Sequence, residues 1–540
     1  MEGLQERLKS RILLLDGAMG TCLMNKGLMP SDYGGSKYEG CNEILSIKHP
    51  EIVRSVHEDY LLAGADIIET NTFSGSPISL SEFGLDARSS EINLASAKIA
   101  REAADKFSTR KQPRYVAGSI GSTSKSLSVT GGVKYEEMRD SYLVQARALE
   151  KGEVDFFLVE TIFDTLNAKA AYSAFRKLFS ETGRELPTAF SFTIEQSGVM
   201  LAGQDIEAAY TSIAHANPLA VGLNCGLGPD LMQRHLMELS SIANTNIICY
   251  PNAGLPKEDG TFPLTPLEFA KLMKGIMRKK LANIVGGCCG TTPEHIAALR
   301  KMISSETRRI APKVSRSALS GIEAVVIDND TRPVIVGERT NSIGSKRFRE
   351  LIASGEFEIA AEIGRAQVEK GANVLDICLA NPDRDEPIDT EKFYEIVVKK
   401  VKVPLMVDST NSEAIERALM RSQGKCIINS LNFEDGFMRA KAVMPLVKEY
   451  GAAIIFGTID EDGQQAMAKT PQKKLVIARR ARDYLVKEWG LPEEDIVFDP
   501  LTFPVASGDA KYSGSAKATI AAISKLKREF PKCKTVLGVS

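Results

Sequence analysis

Short apolar runs repeat regularly along the first half of the chain. Eight such runs are separated by segments long enough for a helix, and each run breaks into glycine or a polar residue. Eight strand and helix units of this kind predict a closed parallel barrel with its helices packed outside the strands. The predicted strands are residues 13–16, 67–71, 115–118, 156–160, 188–192, 220–224, 246–250 and 284–287.

A second series of apolar runs follows residues 306–332, a stretch of basic residues, serines and a proline that we interpret as a linker. Its predicted strands are residues 334–338, 374–377, 404–408, 426–429, 453–456, 496–499 and 535–539. The pattern therefore predicts an α/β protein with two TIM-type (β/α)8 barrels in tandem, at residues 1–305 and 333–540. Because only seven strands are visible before Ser540, we expect the second barrel to be truncated and to lack its last βα unit in this chain.

Composition excludes several classes of function. The 540 residues include 68 basic and 69 acidic ones, so no net field favours a nucleic acid or an anionic membrane. The apolar stretch at residues 12–15 is too short for a signal peptide or a membrane span. Nine cysteines, an odd number without a dense disulfide pattern, indicate reduced thiols and a cytoplasmic protein.

Three of the cysteines fall where barrel enzymes keep their chemistry. Cys225 follows the sixth predicted strand, and the adjacent Cys288 and Cys289 follow the eighth. Three thiolates that converge at this rim would suit a zinc ion with one open coordination position. The alternatives are a closed zinc site or a vicinal disulfide for the adjacent pair, and a buried apolar filler for Cys225 alone.

Polar residues occupy the corresponding positions of the second half. They lie at or just past the ends of predicted strands, with two of them after the first strand, and their carboxylates and carboxamides could bind the edge of a flat heterocycle such as a pterin. The alternative is helix capping, for which Asp408 and Asn429, each followed by serine, are suitable. The residues concerned are Glu338, Asn341, Asp376, Asp408, Asn429 and Asp499.

These motifs carry a family resemblance. The first half resembles the homocysteine S-methyltransferase family at residues 15–21, 69–73, 160–161, 222–225, 251–254 and 286–293. The second half resembles pterin-binding methyltransferases that use methyltetrahydrofolate, at residues 337–341, 407–411, 428–430, 498–500 and 535–540. In this order, the two halves resemble the amino-terminal modules of the cobalamin-dependent methionine synthases.

For the first barrel, the resemblance implies that Cys225, Cys288 and Cys289 hold zinc and that the thiol of homocysteine completes the tetrahedron as a thiolate. Glu160 would then bind the substrate ammonium, and Asn252 would help to order the end of the site that holds zinc. The substrate carboxylate would be received by amides of the loop formed by Asp16, Gly17, Ala18 and Thr21.

For the second barrel, the resemblance implies a site for 5-methyltetrahydrofolate. Asp408, Asn429 and Asp499 would lie along the pterin edge, with Asp376 nearby, and Glu338 and Asn341 would also contact the substrate. The family pattern continues with an asparagine directly after the serine at position 540, so this chain is expected to lack one folate contact.

The resemblance also implies a cobalamin cofactor, which a domain or protein outside this chain would carry between the two barrels. The predicted reaction is methyl transfer from methylcobalamin to homocysteine, with methyltetrahydrofolate as the source of the methyl group. Two alternatives stay open. One is a corrinoid-independent homocysteine methyltransferase with a betaine or sulfonium donor, and the other is a non-catalytic zinc or folate binding module.

Overall fold

The computed structural model describes residues 3–303, 306–462, 466–503 and 514–538. The chain divides into two compact units. The first comprises residues 1–210 and 216–314, and the second comprises residues 211–215 and 315–540. No helix in these described ranges is both long enough and apolar enough to cross a membrane.

The first unit contains the predicted closed barrel. All of its strands are parallel, their order in the sheet is β1-β8-β7-β6-β5-β4-β3-β2, and a bridge between Leu15 and Ile67 joins β1 to β2. The prediction of eight strands is confirmed. The strands are β1 (Leu13–Leu14), β2 (Ile67–Glu69), β3 (Tyr115–Ile120), β4 (Phe156–Ile162), β5 (Thr188–Phe192), β6 (Ala220–Asn224), β7 (Asn246–Tyr250) and β8 (Ile284–Val285).

These strands consist of continuous apolar runs because both of their faces are buried. One face lines the barrel interior and the other meets the surrounding helices, so the strands are mostly apolar, and a polar side chain within them needs a hydrogen-bond partner. Side chains from opposite sides of the barrel meet in its core, among them Leu13, Phe156, Ala189 and Ile248. Glu160, within β4, is one such polar residue, and Ser119 of β3 donates a hydrogen bond to it.

The helices of the first unit pack outside this barrel. The longest follow the predicted spacing; one of them, predicted at residues 51–63, begins at Pro50 and ends before Gly64, which has a left-handed φ of 106°. The helices are α1 (Leu4–Leu8), α2 (Met19–Met24), α3 (Pro30–Tyr33), α4 (Leu45–Lys48), α5 (Pro50–Ala63), α6 (Pro77–Leu80), α7 (Ser89–Phe107), α8 (Tyr135–Lys151), α9 (Thr165–Thr182), α10 (Ile206–Ile213), α11 (Pro229–Ile242), α12 (Pro266–Arg278) and α13 (Pro293–Ile303).

Within the segment predicted as a linker, a short antiparallel hairpin is formed by β9 (Ala318–Ser320) and β10 (Ala324–Val326). Its backbone joins the second unit, because Ser320 N donates to Lys425 O (3.1 Å) and Glu323 N donates to Lys402 O (3.1 Å). Leu319 lies in the core of that unit. The hairpin thus covers the end of the second sheet where its strands begin.

Among its described residues, the second unit contains a sheet of seven parallel strands in sequence order, which confirms the predicted barrel that lacks one βα unit. The strands are β11 (Val336–Asn341), β12 (Val374–Cys378), β13 (Leu405–Asp408), β14 (Ile427–Leu431), β15 (Ala453–Gly457), β16 (Ile496–Asp499) and β17 (Lys534–Thr535). The helices are α14 (Lys346–Ser354), α15 (Phe357–Glu369), α16 (Glu386–Val397), α17 (Ser412–Leu419), α18 (Met438–Tyr450), α19 (Pro471–Asp483) and α20 (Ser515–Glu529).

Candidate functional site

The structure brings the three predicted cysteines together at the carboxyl end of the first barrel. The Sγ atom of Cys289 lies 3.8 Å from that of Cys225 and 4.0 Å from that of Cys288. All three sulfur atoms lie within 4.8 Å of one another. At 4.0 Å the adjacent pair is not a vicinal disulfide, and each cysteine of the chain is a free thiol.

Backbone contacts hold the thiols in this arrangement. Cys225 has a left-handed φ of 56°, and Gly226 after it has a φ of 62° and no room for a Cβ, which would lie 2.7 Å from Ile194 O. On the other side, Cys288 N donates to Pro251 O (2.8 Å), and Cys289 O accepts from Ala253 N (2.9 Å). The loops after β7 and β8 are therefore tied together, and the thiols face one another.

The spacing and the proton affinities of the thiols fit a metal. Tetrahedral zinc with Zn–S bonds of about 2.3 Å requires sulfur atoms about 3.8 Å apart, close to the observed distances. Hydrogen bonds from Cys288 and Cys289 lower the pKa of Cys225 to about 3. The hydrogen bond with Cys225 raises the pKa of Cys289 to about 11, and hydrogen bonds with Cys225 and Cys289 raise the pKa of Cys288 well above its usual value. One thiolate thus forms readily, and a cation is needed to release the other protons.

Glu160, the predicted ligand of the substrate ammonium, is buried in β4 near this group. Its carboxylate accepts hydrogen bonds from Ser119 Oγ and from the Tyr250 hydroxyl (3.3 Å). Burial raises its pKa to about 7, although these two hydrogen bonds oppose the effect. A cation beside Glu160 would restore its negative charge at neutral pH.

Two further carboxyl groups lie beside Glu160. Asp16 Oδ2 accepts from Glu69 N (3.0 Å), while Asp16 Oδ1 and Glu69 Oε1 are buried with no hydrogen-bond partner among the described residues. Burial raises the pKa of both groups well above the usual range, and the charge of Glu160 adds to the effect. Unpartnered buried oxygens indicate a ligand that donates hydrogen bonds. Sequence reasoning did not select Glu69, although it lies in a motif that carried the resemblance.

The loop predicted to receive the substrate carboxylate is held by the loop after β8. Ala18 N donates to Thr291 Oγ1 (3.2 Å), so this amide already has a partner within the protein. Gly290 N donates to Thr21 Oγ1 (3.1 Å). A Cβ at Gly17 would lie 2.7 Å from Thr291 Oγ1, so only glycine fits there. The segment 16–21 is thereby fixed against the cysteine loop.

Two asparagines adjoin the thiols. Asn252, which was predicted to order the zinc end, lies beside Cys225 and contributes to lowering its pKa, and its Oδ1 is buried without a partner among the described residues. Asn224 was not selected from the sequence. Its Nδ2 reaches Cys288 Sγ at 3.9 Å, and its place directly before Cys225 in the motif was the available signal.

In the second barrel, Asn341 joins two of the predicted carboxyl groups. Its Nδ2 donates to Asp376 Oδ2 (3.0 Å) and to Asp408 Oδ2 (2.8 Å), and Asp408 pairs with Asn429 across β13 and β14. Asp408 and Asn429 do not cap helices, which was the alternative interpretation. Helix α17 is capped by Asn411, and Asn429 lies within β14.

This group retains a proton near neutral pH. Burial, followed by the charge of Asp408, raises the pKa of Asp376 to about 8. Burial also raises the pKa of Asp408 to about 6, against the hydrogen bond from Asn341. Asp376 Oδ1 is buried and has no hydrogen-bond partner in the described part of the chain. The group can therefore both donate and accept hydrogen bonds toward a ligand.

The remaining predicted residues lie near this group but are not bonded to it. Glu338 is exposed in β11, where the register with β12 shifts, and its charge raises the pKa of both Asp376 and Asp408. Asp499 ends β16, where its Oδ1 accepts from Leu501 N (2.8 Å) and burial raises its pKa. Ser540, which ended the last motif, lies outside the described residues.

Comparison with known proteins finds two successive family matches in the chain. Residues 13–303 match the homocysteine S-methyltransferase family, and residues 337–540 match the pterin binding enzyme family. Among solved structures, the chain is similar to the homocysteine methyltransferase MmuM from Escherichia coli. The metallated form is 26% identical over 54% of this chain and 96% of that one, with a TM-score of 0.45. The apo form is 25% identical over 56% of this chain and 98% of that one, with a TM-score of 0.43.

The first match covers more than half of the chain, so the chain belongs to the homocysteine S-methyltransferase family. It is a methyltransferase that carries a pterin-binding domain after its homocysteine methyltransferase domain. In kind and order, the two domains match the amino-terminal homocysteine and pterin modules of methionine synthase, which confirms the resemblance found in the sequence.

Proposed function

We propose that the first barrel binds zinc and homocysteine, that the second barrel binds 5-methyltetrahydrofolate, and that the methyl group passes to the homocysteine thiolate to give methionine. The observation that carries the proposal is the convergence of Cys225, Cys288 and Cys289, whose sulfur distances of 3.8 and 4.0 Å suit three zinc ligands. Three protein ligands leave a fourth position for a substrate.

The cysteines would hold the metal, and zinc bound there would supply a Lewis acid that favours the thiolate form of a substrate thiol near neutral pH. The protein residues do the remaining work. Asn252 lies beside Cys225, and Asn224 donates toward Cys288, so both amides stabilise negative charge on sulfur. A substrate sulfur held here keeps the charge that makes it a nucleophile.

The amino end of homocysteine would be held by buried carboxyl groups. Ser119 and Tyr250 orient Glu160, and the free oxygens of Asp16 and Glu69 offer further acceptors for an ammonium. Binding the cation would lower the pKa of Glu160 below its value of about 7 in the free protein. An uncharged thiol without the ammonium would leave these oxygens unpaired, which selects an amino acid as substrate.

The second barrel would hold the pterin edge with Asn341, Asp376 and Asp408, and with Asn429 and Asp499 beside them. At neutral pH a protonated Asp376 donates while Asp408 accepts, a pattern that matches the alternating donors and acceptors of a pterin. Departure of the methyl group from a tertiary amine needs a protonated nitrogen, and a carboxyl that keeps its proton near pH 7 is suited to this environment.

Cobalamin would be the methyl carrier, bound by a domain or protein outside this chain. Free methylcobalamin therefore serves as the donor in the first test. Zinc-loaded protein should convert homocysteine to methionine, and Cys289→Ala should abolish measurable turnover while Cys426→Ala, a buried cysteine of the other barrel, should not. Undiminished activity in Cys289→Ala would refute the zinc mechanism, and an inactive wild-type protein would favour a binding module.

The second test separates the proposal from a betaine or sulfonium-dependent methyltransferase. Titration calorimetry should detect binding of 5-methyltetrahydrofolate to the whole chain, and Asn341→Ala should weaken it. Turnover of homocysteine with a sulfonium or betaine donor, together with no detectable folate binding, would overturn the proposal.

A further inference from the structure

Asn224 connects two parts of the first barrel that carry different ends of the proposed substrate. Its side chain is fully buried at the end of β6. Oδ1 accepts from Thr161 N (3.0 Å) and Ser191 Oγ (2.7 Å), and Nδ2 donates to Thr161 Oγ1 (2.8 Å) and toward Cys288 Sγ (3.9 Å). Every hydrogen-bonding direction of the amide is therefore used, and its orientation is determined.

Thr161 directly follows Glu160 and has a left-handed φ of 54°. This conformation is unfavourable for a β-branched residue and persists only where neighbouring groups hold it. Asn224 makes two of the hydrogen bonds that hold Thr161, one to its backbone and one to its side chain. The placement of the Glu160 carboxylate consequently depends on Asn224.

Cys288 and Glu160 lie on opposite sides of the barrel. Glu160 is in β4, Cys288 follows β8, and these strands are four positions apart in the eight-stranded ring in either direction. Asn224 ends β6, which lies between β4 and β8 in the ring. Its side chain donates to Thr161, next to Glu160, and reaches the sulfur of Cys288. It acts as a spacer across the mouth of the barrel.

We propose that Asn224 is a positioning residue that sets the distance between the ammonium site and the sulfur site, and thereby selects homocysteine over cysteine. The inference rests on the proposed function, because it requires that Glu160 binds the amino end and the cysteine group binds the sulfur. The two aminothiols differ by one methylene group, and a rigid site discriminates such a difference by about 10-fold to 200-fold.

The test measures binding, so it needs no methyl donor. Dissociation constants for L-homocysteine and L-cysteine are determined by calorimetry on the zinc-loaded whole chain. Asn224→Asp retains an acceptor for Thr161 N and Ser191 but removes the donors to Thr161 Oγ1 and Cys288. We expect the preference for homocysteine to fall by about tenfold, the lower end of the discrimination available from one methylene, with one zinc per chain retained.

Thr161→Val provides a second variant if Asn224→Asp does not fold. It removes one acceptor of the Asn224 amide and leaves the donation to Cys288, so we expect a smaller loss of preference in the same direction. The matched control is Asn283→Asp, because Asn283 is also buried and bonded, through Ile247 N and Arg309 O, but lies before β8 at the other end of the barrel. The preference of Asn283→Asp for homocysteine over cysteine should equal that of the wild type.

The outcomes separate the inference from the proposed function. If the wild-type protein binds zinc but not homocysteine, both are overturned. If it binds homocysteine and the preference is unchanged in Asn224→Asp and Thr161→Val, only the spacer role is overturned. Loss of zinc from Asn224→Asp with an unchanged preference in Thr161→Val would likewise overturn the spacer role and show that Asn224 serves to retain the metal.

Discussion

The two barrels place polar groups at the same end of the same kind of sheet and both bury carboxyl groups there, but the first barrel adds a group of thiols. In the first barrel, neighbouring thiols stabilise negative charge on Cys225 and lower its pKa to about 3. In the second, burial and mutual repulsion suppress charge and raise the pKa of Asp376 to about 8. We therefore propose that the first site binds cations and that the second binds a neutral ring with donors and acceptors. The fold supplies the positions, and the side chains decide the chemistry.

The largest expected effect tests whether the first site depends on a metal while the second does not. Removal of zinc with a chelator, or Cys225→Ser, should abolish homocysteine binding because three thiolate ligands are needed for the metal. Folate binding, measured by calorimetry on the same samples, should be unchanged. Joint loss of both ligands from folded protein would contradict the independence of the two sites.

The next effect concerns the amide that joins the carboxyl groups of the second barrel. Asn341→Ala removes hydrogen bonds to Asp376 and Asp408, and a hydrogen bond to a charged group contributes about 1.5–3 kcal/mol, so folate affinity should fall about 10-fold to 100-fold. The matched control is Asn411→Ala, which removes the N-cap of α17 and should lower stability by about 1 kcal/mol without changing folate affinity. Equal affinities in the two variants would argue against a folate role for Asn341.

A third effect is the pH dependence of stability in the second barrel. The pKa of Asp376 is raised from 3.8 to about 8, so the folded state binds its proton more tightly than the unfolded state. The protonated Asp376 therefore contributes to stability. This contribution is complete below about pH 4 and is lost as the pH rises toward about 8, at about 1.4 kcal/mol per pH unit for one full proton. The free energy of unfolding, measured with urea, should decline less steeply between pH 5 and 8 in Asp376→Asn than in the wild type. An unchanged slope of free energy against pH would show that Asp376 is ionised throughout.

The smallest expected effect concerns the loop that the first barrel holds against its cysteines. Thr21→Val removes the acceptor for Gly290 N, a net loss of about 0.5–1.5 kcal/mol, so homocysteine affinity should fall about twofold to tenfold. Thr109→Val, which changes an exposed loop threonine of the same barrel, is the control. Folate affinity should not change in either variant, and a fall in folate affinity in Thr21→Val would contradict the separation of the sites.

The strands were predictable because their pattern is local. The run predicted at residues 188–192 is β5 (Thr188–Phe192), a mostly apolar strand that is buried along its whole length and whose polar side chains are small. Cys225, Cys288 and Cys289 were predictable because each follows such a run. Asn224 and Glu69 were missed because neither residue type indicates a metal site by itself, and their roles depend on contacts that form only in the folded barrel. Asn224 and Thr161, for example, are 63 residues apart.

The period of the apolar runs is enough to predict two tandem barrels and the residues at their strand ends. Which of those residues meet, which oxygens remain unpartnered and which groups keep their protons depends on how the strands pack together. Hydrogen bonds such as that from Asn341 to Asp408, and the burial that raises the pKa of Glu160, arise only when strands close side by side and exclude water. Those properties belong to the packed barrel and not to any single run of residues.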